Sequence, residues 1–207
     1  MKLTICMFCF ALLAGSLSVS SPAGAQSATK LKVVILYSLE SDERLSATYD
    51  SIAFWNAALS DLQLRLRLVP TSLVVTSRSG RILENYTRQV WQQAGRLAPG
   101  APGPREAREL DRLGADVVVF LSRQPTMSFA WPIHEGTGHF VAIPVAAAGR
   151  NVIAHEIGHA LGLSHHDDPT VLMCSPCLSV YEQMEASFLP LTNTDRQLLI
   201  ERYSREN

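Results

Sequence analysis

The sequence predicts an α/β (α+β) fold in which helices pack on a mixed sheet, and three observations carry that expectation. Two nearly continuous apolar runs with β-branched members, Leu31–Tyr37 (LKVVILY) and Val117–Leu121 (VVVFL), have the pattern of strands buried on both faces. Between and after them the apolar spacing lengthens to three or four residues, the period of a helix. The elements follow one another in the order β-α-β-(α)-β-β-α-α, which favours a layered domain over a bundle or a sandwich.

Taken in order, Leu31–Tyr37 is the first strand. Ser41 can cap a helix running to about Leu59, with Leu45, Tyr49, Ile52, Trp55 and Leu59 along one face. Leu62, Leu64, Leu66 and Leu68 alternate with Gln63, Arg65, Arg67 and Val69, the period of a strand wet on one face; Pro70 should break it, and Leu73–Val75 could continue it. Arg81–Leu97 reads as a helix, Gly95–Pro104 as a Gly/Pro loop and Arg105–Leu113 as a short charged helix. Val117–Leu121 and His139–Val145 are further strands. Asn151 can cap a helix from Val152 to near Gly162, and Asn193 one that ends at Tyr203.

Composition excludes several classes. Hydrophobic residues make up 47% and charged residues 18%, too apolar and too weakly charged for a disordered chain. The formal net charge of −1 leaves no basic surplus to neutralise a phosphate backbone, so no nucleic acid is expected as a partner. Lys2 is the only charge before Lys30; the apolar run Leu3–Leu13 follows it, and Ala23 and Ala25 form an A-x-A site. Residues 1–25 therefore read as a cleaved signal peptide and 26–207 as the mature domain. The run is short and broken by Gly15 and Pro22, which argues against a membrane anchor. The mature protein is expected to be a soluble monomer, secreted or periplasmic, with no membrane association.

Most of the functional information lies in residues 155–165, HEIGHALGLSH. His155 and His159, four apart on a helix, project from one face and can both reach one zinc ion. Gly162 permits the turn that ends the helix and returns His165 as a third ligand. Three neutral nitrogens leave a fourth position open, the mark of a catalytic site and not a structural one. Glu156 is angled aside from the two histidines, where it can serve a water molecule as general base. The expected activity is a zinc-dependent endopeptidase that hydrolyses protein or peptide substrates by a metal-activated water. An inactive relative that keeps zinc and binds a protein partner is the alternative, although a purely structural site has no need of Glu156. A hydrolase of another amide, such as one in cell-wall peptide, would use the same chemistry.

HEIGHALGLSH resembles the extended zinc signature of the metzincin metallopeptidases, H-E-x-x-H-x-x-G-x-x-H. Met173, eight residues after His165, stands where those enzymes place a methionine turn beneath the metal, and Asp168-Pro169 before Leu172-Met173 resembles the matrixin branch. The segment LTNTDRQLLIERY is similar in pattern to that branch's closing helix. The resemblance implies a metzincin-like catalytic domain: a mixed twisted sheet with an edge strand over a substrate cleft, an active-site helix and a C-terminal helix. Peptide would pair with the edge strand, placed within Thr126–His134, by β-augmentation.

The chain also departs from that pattern. His166 follows the third ligand where matrixins usually carry Ser or Thr, and could support the site or compete as a ligand. Position 175, two after Met173, is Ser and not the tyrosine of the astacin-like and serralysin-like branches. No Cys precedes Cys174 in the mature chain, so the matrixin latency device is missing. His134 and His139 are a lone pair near the branch's second, structural zinc site, more simply read as solvated. Cys174 and Cys177, the two cysteines left after signal cleavage, are expected to form a structural disulfide behind Met173 in oxidising surroundings. Asp167 and Asp168 supply too few oxygens for a calcium site and read as a polar loop braced by Asp168. Phe129 and Trp131 suit a cleft wall, an exposed edge or the core equally well, and the Arg65/Arg67 face reads as solvated.

Overall fold

A computed structural model describes residues 28–93, 110–133, 138–147, 149–177 and 187–204. The expectations for the signal segment, the Gly95–Pro104 loop, most of the Arg105–Leu113 helix and His134 fall outside those residues. In chain order the elements are β1 (Thr29–Tyr37), α1 (Glu43–Asp61), β2 (Leu66–Val74), α2 (Ser77–Gln93), β3 (Val117–Leu121), β4 (Phe129–Pro132), β5 (His139–Ile143), a 3-10 turn (Val145–Ala147), α3 (Arg150–Ala160) and α4 (Asn193–Tyr203).

The sheet has the order β2-β1-β3-β5-β4. The first four strands in that order run parallel and β4 runs antiparallel to β5, which makes the sheet mixed, as expected. The two apolar runs become central strands because both faces are covered. Val33, Ile35, Val117 and Val119 pack toward α1 and α3, whereas Val34, Leu36, Val118 and Phe120 pack toward Leu83, Tyr86 and Val90 of α2.

Several boundaries differ from expectation, each for a physical reason. The cap of α1 is Asp42, not Ser41; its carboxylate accepts from the Arg44 N–H. The helix runs to Asp61, and Gln63 takes a left-handed φ of 57° with Leu64 N–H returned to Leu59 O, so Leu62 and Leu64 belong to the helix exit and not to a strand. Strand β2 runs straight through Pro70, because β2 lies at the sheet edge and has only β1 as a neighbour. Thr76 Oγ1 accepts from Ser79 N–H, which starts α2 four residues before Arg81. Gly149, not Asn151, caps α3; the Asn151 amide instead donates to Ser187 O (3.1 Å) and accepts from Leu189 N–H (2.9 Å). Thr192, not Asn193, caps α4 in a capping box with Asp195.

The first two turns of α1 bury polar residues most deeply; of the expected stripe there, Leu45 packs half-buried on the core and Tyr49 is exposed. Arg44, Thr48 and Ser51 face inward there, and the apolar stripe takes over at Ile52, Trp55 and Leu59. Arg44, 4% exposed, donates to Ser122 O (2.7 Å) and Ile143 O (2.6 Å) and pairs with Asp42 (2.6 Å). It thereby ties the ends of β3 and β5 to the start of α1. Farther along, Ser51 Oγ donates to Arg150 O (2.9 Å) and Trp55 Nε1 to Ala154 O (2.9 Å), so α1 holds the backbone of α3 directly.

Replacing Arg44 with Met keeps much of the volume but removes the guanidinium donors from the Asp42 carboxylate and from Ser122 O and Ile143 O. Breaking a buried pair in this way should cost about 3 kcal/mol of unfolding free energy in a urea titration. A loss below about 1 kcal/mol would show that water replaces the guanidinium freely.

Candidate metal centre

Helix α3 carries His155 and Glu156, both buried, and the half-buried His159, and the left-handed residue Gly162 (φ 93°) turns the chain immediately after it. The turn brings His165 back beside the helix. The three Nε2 atoms then lie 3.2 Å (155–165), 3.1 Å (155–159) and 2.9 Å (159–165) apart. Among the described residues this is the only group of three or more His, Cys, Asp or Glu side chains that could hold one metal ion.

These ring contacts cannot all be hydrogen bonds. Nδ1 of His155 faces Leu172 O at 2.7 Å and Nδ1 of His159 faces Leu163 O at 2.9 Å. A carbonyl oxygen only accepts, so both Nδ1 atoms carry the proton and both Nε2 atoms present a lone pair when the rings are neutral. Burial favours that neutral state: it lowers the pKa of His155 to about 4 and depresses that of His159 as well. Two lone pairs 3.1 Å apart repel unless a cation stands between them. A tetrahedral zinc with bonds of about 2.0–2.1 Å sets its nitrogens about 3.3 Å apart, close to the spacing seen here. The donor set therefore fits zinc, with one coordination position left over.

Glu156, 5% exposed, borders the same cleft. Burial pushes its carboxyl up to about 7, opposed by a hydrogen bond from Ser128. The cleft encloses about 690 Å³ between Met127–Ala130 on one side, Val152 and the three imidazoles on the floor, and Cys174–Cys177 on the other. Beneath the floor, Met173 is fully buried and packs where a side chain on Gly158 would otherwise stand. The Leu172 carbonyl next to it is the one that orients His155.

The family model for matrixins matches residues 46–204 of the chain. The chain is a matrixin. A search of curated proteins returns no match. Among solved structures, one described as a chaperone–substrate complex is similar with a TM-score of 0.53 at 14% identity, over 86% of this chain and 34% of that one. Metalloproteinase-II from Bacteroides fragilis has a TM-score of 0.43 at 16% identity, over 87% of this chain and 55% of that one. This matrixin thus spans about a third of the length of the first and little more than half of the second.

Measured against the sequence, the matrixin brings its predicted residues together. His155, His159, His165 and Glu156 share the cleft, Met173 lies under it, and the Cys174 and Cys177 sulfurs stand at bonding distance in its wall. The edge strand expected within Thr126–His134 is β4. The reading of His166 as a competing ligand is corrected. Its Nε2 points away from the triad to Asp195 Oδ1 at 2.8 Å, because Asp195 is a fully buried carboxylate that needs a donor. Asp168 braces its loop by accepting from Thr170 N–H (2.9 Å) and Oγ1 (2.6 Å), bonds that hold its carboxyl below the usual range. Phe129 and Trp131 pack on the cluster beneath α2, with Phe129 also at the cleft. His139 is depressed by burial, then by Arg202 and His159; its expected companion His134 lies outside the described residues. Sequence reasoning missed Ser128, whose only signal was its place just before the edge strand.

Gly158 is where helix and methionine turn touch: a methyl there would collide with Met173 Sδ and press on Trp55. Gly158→Ala should therefore lower stability by about 1–3 kcal/mol despite alanine's better helix propensity. Calorimetry of the variant tests this; an unchanged or raised Tm would mean that Met173 has room to move.

Proposed function

We propose that this matrixin is an exported zinc endopeptidase. The observation that carries the reading is the convergence of the Nε2 atoms of His155, His159 and His165 beside the buried carboxyl of Glu156. His155, His159 and His165 would hold the zinc. When bound there, zinc supplies a Lewis acid that polarises the scissile carbonyl and acidifies water. Glu156 takes the proton of the attacking water at its carboxylate and returns it to the leaving amine, and a carboxyl raised to about 7 is suited to both transfers near neutral pH. Met173 supports the floor from below, and the Cys174–Cys177 bridge stiffens the wall.

The sheet edge suits an extended peptide. Ile133 N–H donates to Gly138 O, so by the alternation of an antiparallel pair Phe129 and Trp131 turn their backbone groups toward β5. Ala130 turns its N–H and C=O outward, and Pro132 offers only its carbonyl. A peptide added to this edge would align along the cleft with its backbone near the triad. Residues 1–25 would direct export, and the chain would act in secreted or periplasmic form, where the Cys174–Cys177 bridge persists.

Glu156→Ala should retain zinc at one ion per chain yet cut peptide hydrolysis by about a thousandfold or more. Cleavage of a peptide library by the zinc-loaded wild type, with this variant as control, reads the outcome. Persistent turnover in the variant would remove Glu156 from the mechanism. Zinc uptake by the wild type without any cleavage would favour a protein-binding relative.

A further inference from the structure

The third ligand is held differently from the other two. His155 and His159 each anchor Nδ1 on a backbone carbonyl, but among the described residues no group accepts from Nδ1 of His165, and that side chain is exposed. Its position must come from the backbone around it. That backbone is gripped by α4 at three points. Tyr203 O–H donates to Leu161 O (3.2 Å), the Arg202 guanidinium packs over Gly162, and His166 Nε2–H donates to Asp195 Oδ1 (2.8 Å).

The last of these contacts is the most constrained. The Asp195 side chain is fully buried, and its other oxygen accepts from Thr192 N–H (2.9 Å) and Oγ1–H (2.8 Å), so the carboxylate is fixed at the first turn of α4. The backbone of His166 is fixed as well: its N–H donates to Met173 O (2.7 Å), and its carbonyl accepts from Ser175 N–H (2.8 Å). One residue thus joins the methionine turn, through its backbone, to α4, through its ring.

We infer that His166 is a positioning residue for the metal centre, setting His165 through its hydrogen bond to the buried carboxylate of Asp195. The inference rests on the reading that the three imidazoles hold a metal. The ring of His166 touches neither metal nor substrate; without its bond to Asp195 the 161–166 bend keeps its backbone contacts and the Tyr203 and Arg202 contacts but loses the α4 anchor next to His165, and Nε2 of His165 drifts from the point shared with the other two.

The test uses the full mature chain with zinc and, separately, with cobalt as a spectroscopic probe. Gln can present its amide N–H near the place of Nε2, whereas Asn and Ala fall short of Asp195. His166→Ala and His166→Asn should weaken zinc binding in chelator competition by about tenfold or more and alter the visible cobalt spectrum. His166→Gln should restore both toward wild type. Folded Ala and Asn variants with unchanged zinc affinity and cobalt spectrum would overturn the inference, as would a Gln variant no better than Asn. If Ala fails to fold, the Gln–Asn comparison decides alone. A wild type that takes up neither metal would overturn the metal reading along with this one, whereas wild-type uptake with indifferent variants would overturn this one alone.

Discussion

Three imidazole nitrogens converge on one point, and two of them, on His155 and His159, present lone pairs there, an arrangement that no neutral protein core adopts without compensation. The compensation here is spread through the domain. Two backbone carbonyls, Leu172 O and Leu163 O, fix the ring faces of His155 and His159, and both belong to segments that follow α3 in the chain. The helix alone therefore cannot make the site; the bend at Gly162 and the methionine turn complete it.

The rest of the fold positions those segments. The central strands β1 and β3 bury apolar side chains on both faces and form a stiff platform. Helix α1 lies on that platform and grips α3 through Ser51 and Trp55, while Arg44 secures the strand ends above. Met173 fills the space that Gly158 leaves open, so the methionine turn and the helix are fitted by volume as well as by hydrogen bonds. From the far side α4 closes on the bend. Each contact is worth on the order of 1 kcal/mol net, yet together they restrict the three rings to one geometry.

The site was more legible in the sequence than the fold around it. His155, His159, Gly162 and His165 could be placed from spacing, because a helix followed by one left-handed residue has little freedom at that range. Central strands were legible for a related reason: burial on both faces leaves an unbroken apolar run, as in Val117–Leu121. Long-range polar partnerships were not. Nothing local distinguishes Arg44, buried against carbonyls some 80 and 100 residues away, from a solvated arginine, and the same holds for Asn151, which serves the 187–189 segment and not its own helix end. Pro70 misled because its meaning depends on whether a strand is central or at an edge, which is a property of topology. His166 could be read two ways, as a support for the site or as a competing ligand, and what separates them, its partner Asp195, lies 29 residues downstream.

What remains to be measured is whether the three Nε2 atoms share one zinc ion and leave it a vacant position. X-ray absorption at the zinc edge, on purified protein loaded with one equivalent of zinc, answers this. Three imidazole nitrogens at about 2.0–2.1 Å plus one oxygen scatterer are expected, with His165→Ala reducing the imidazole count by one. Fewer than three imidazoles in the wild type, a sulfur ligand, or a spectrum indifferent to His165 would contradict it.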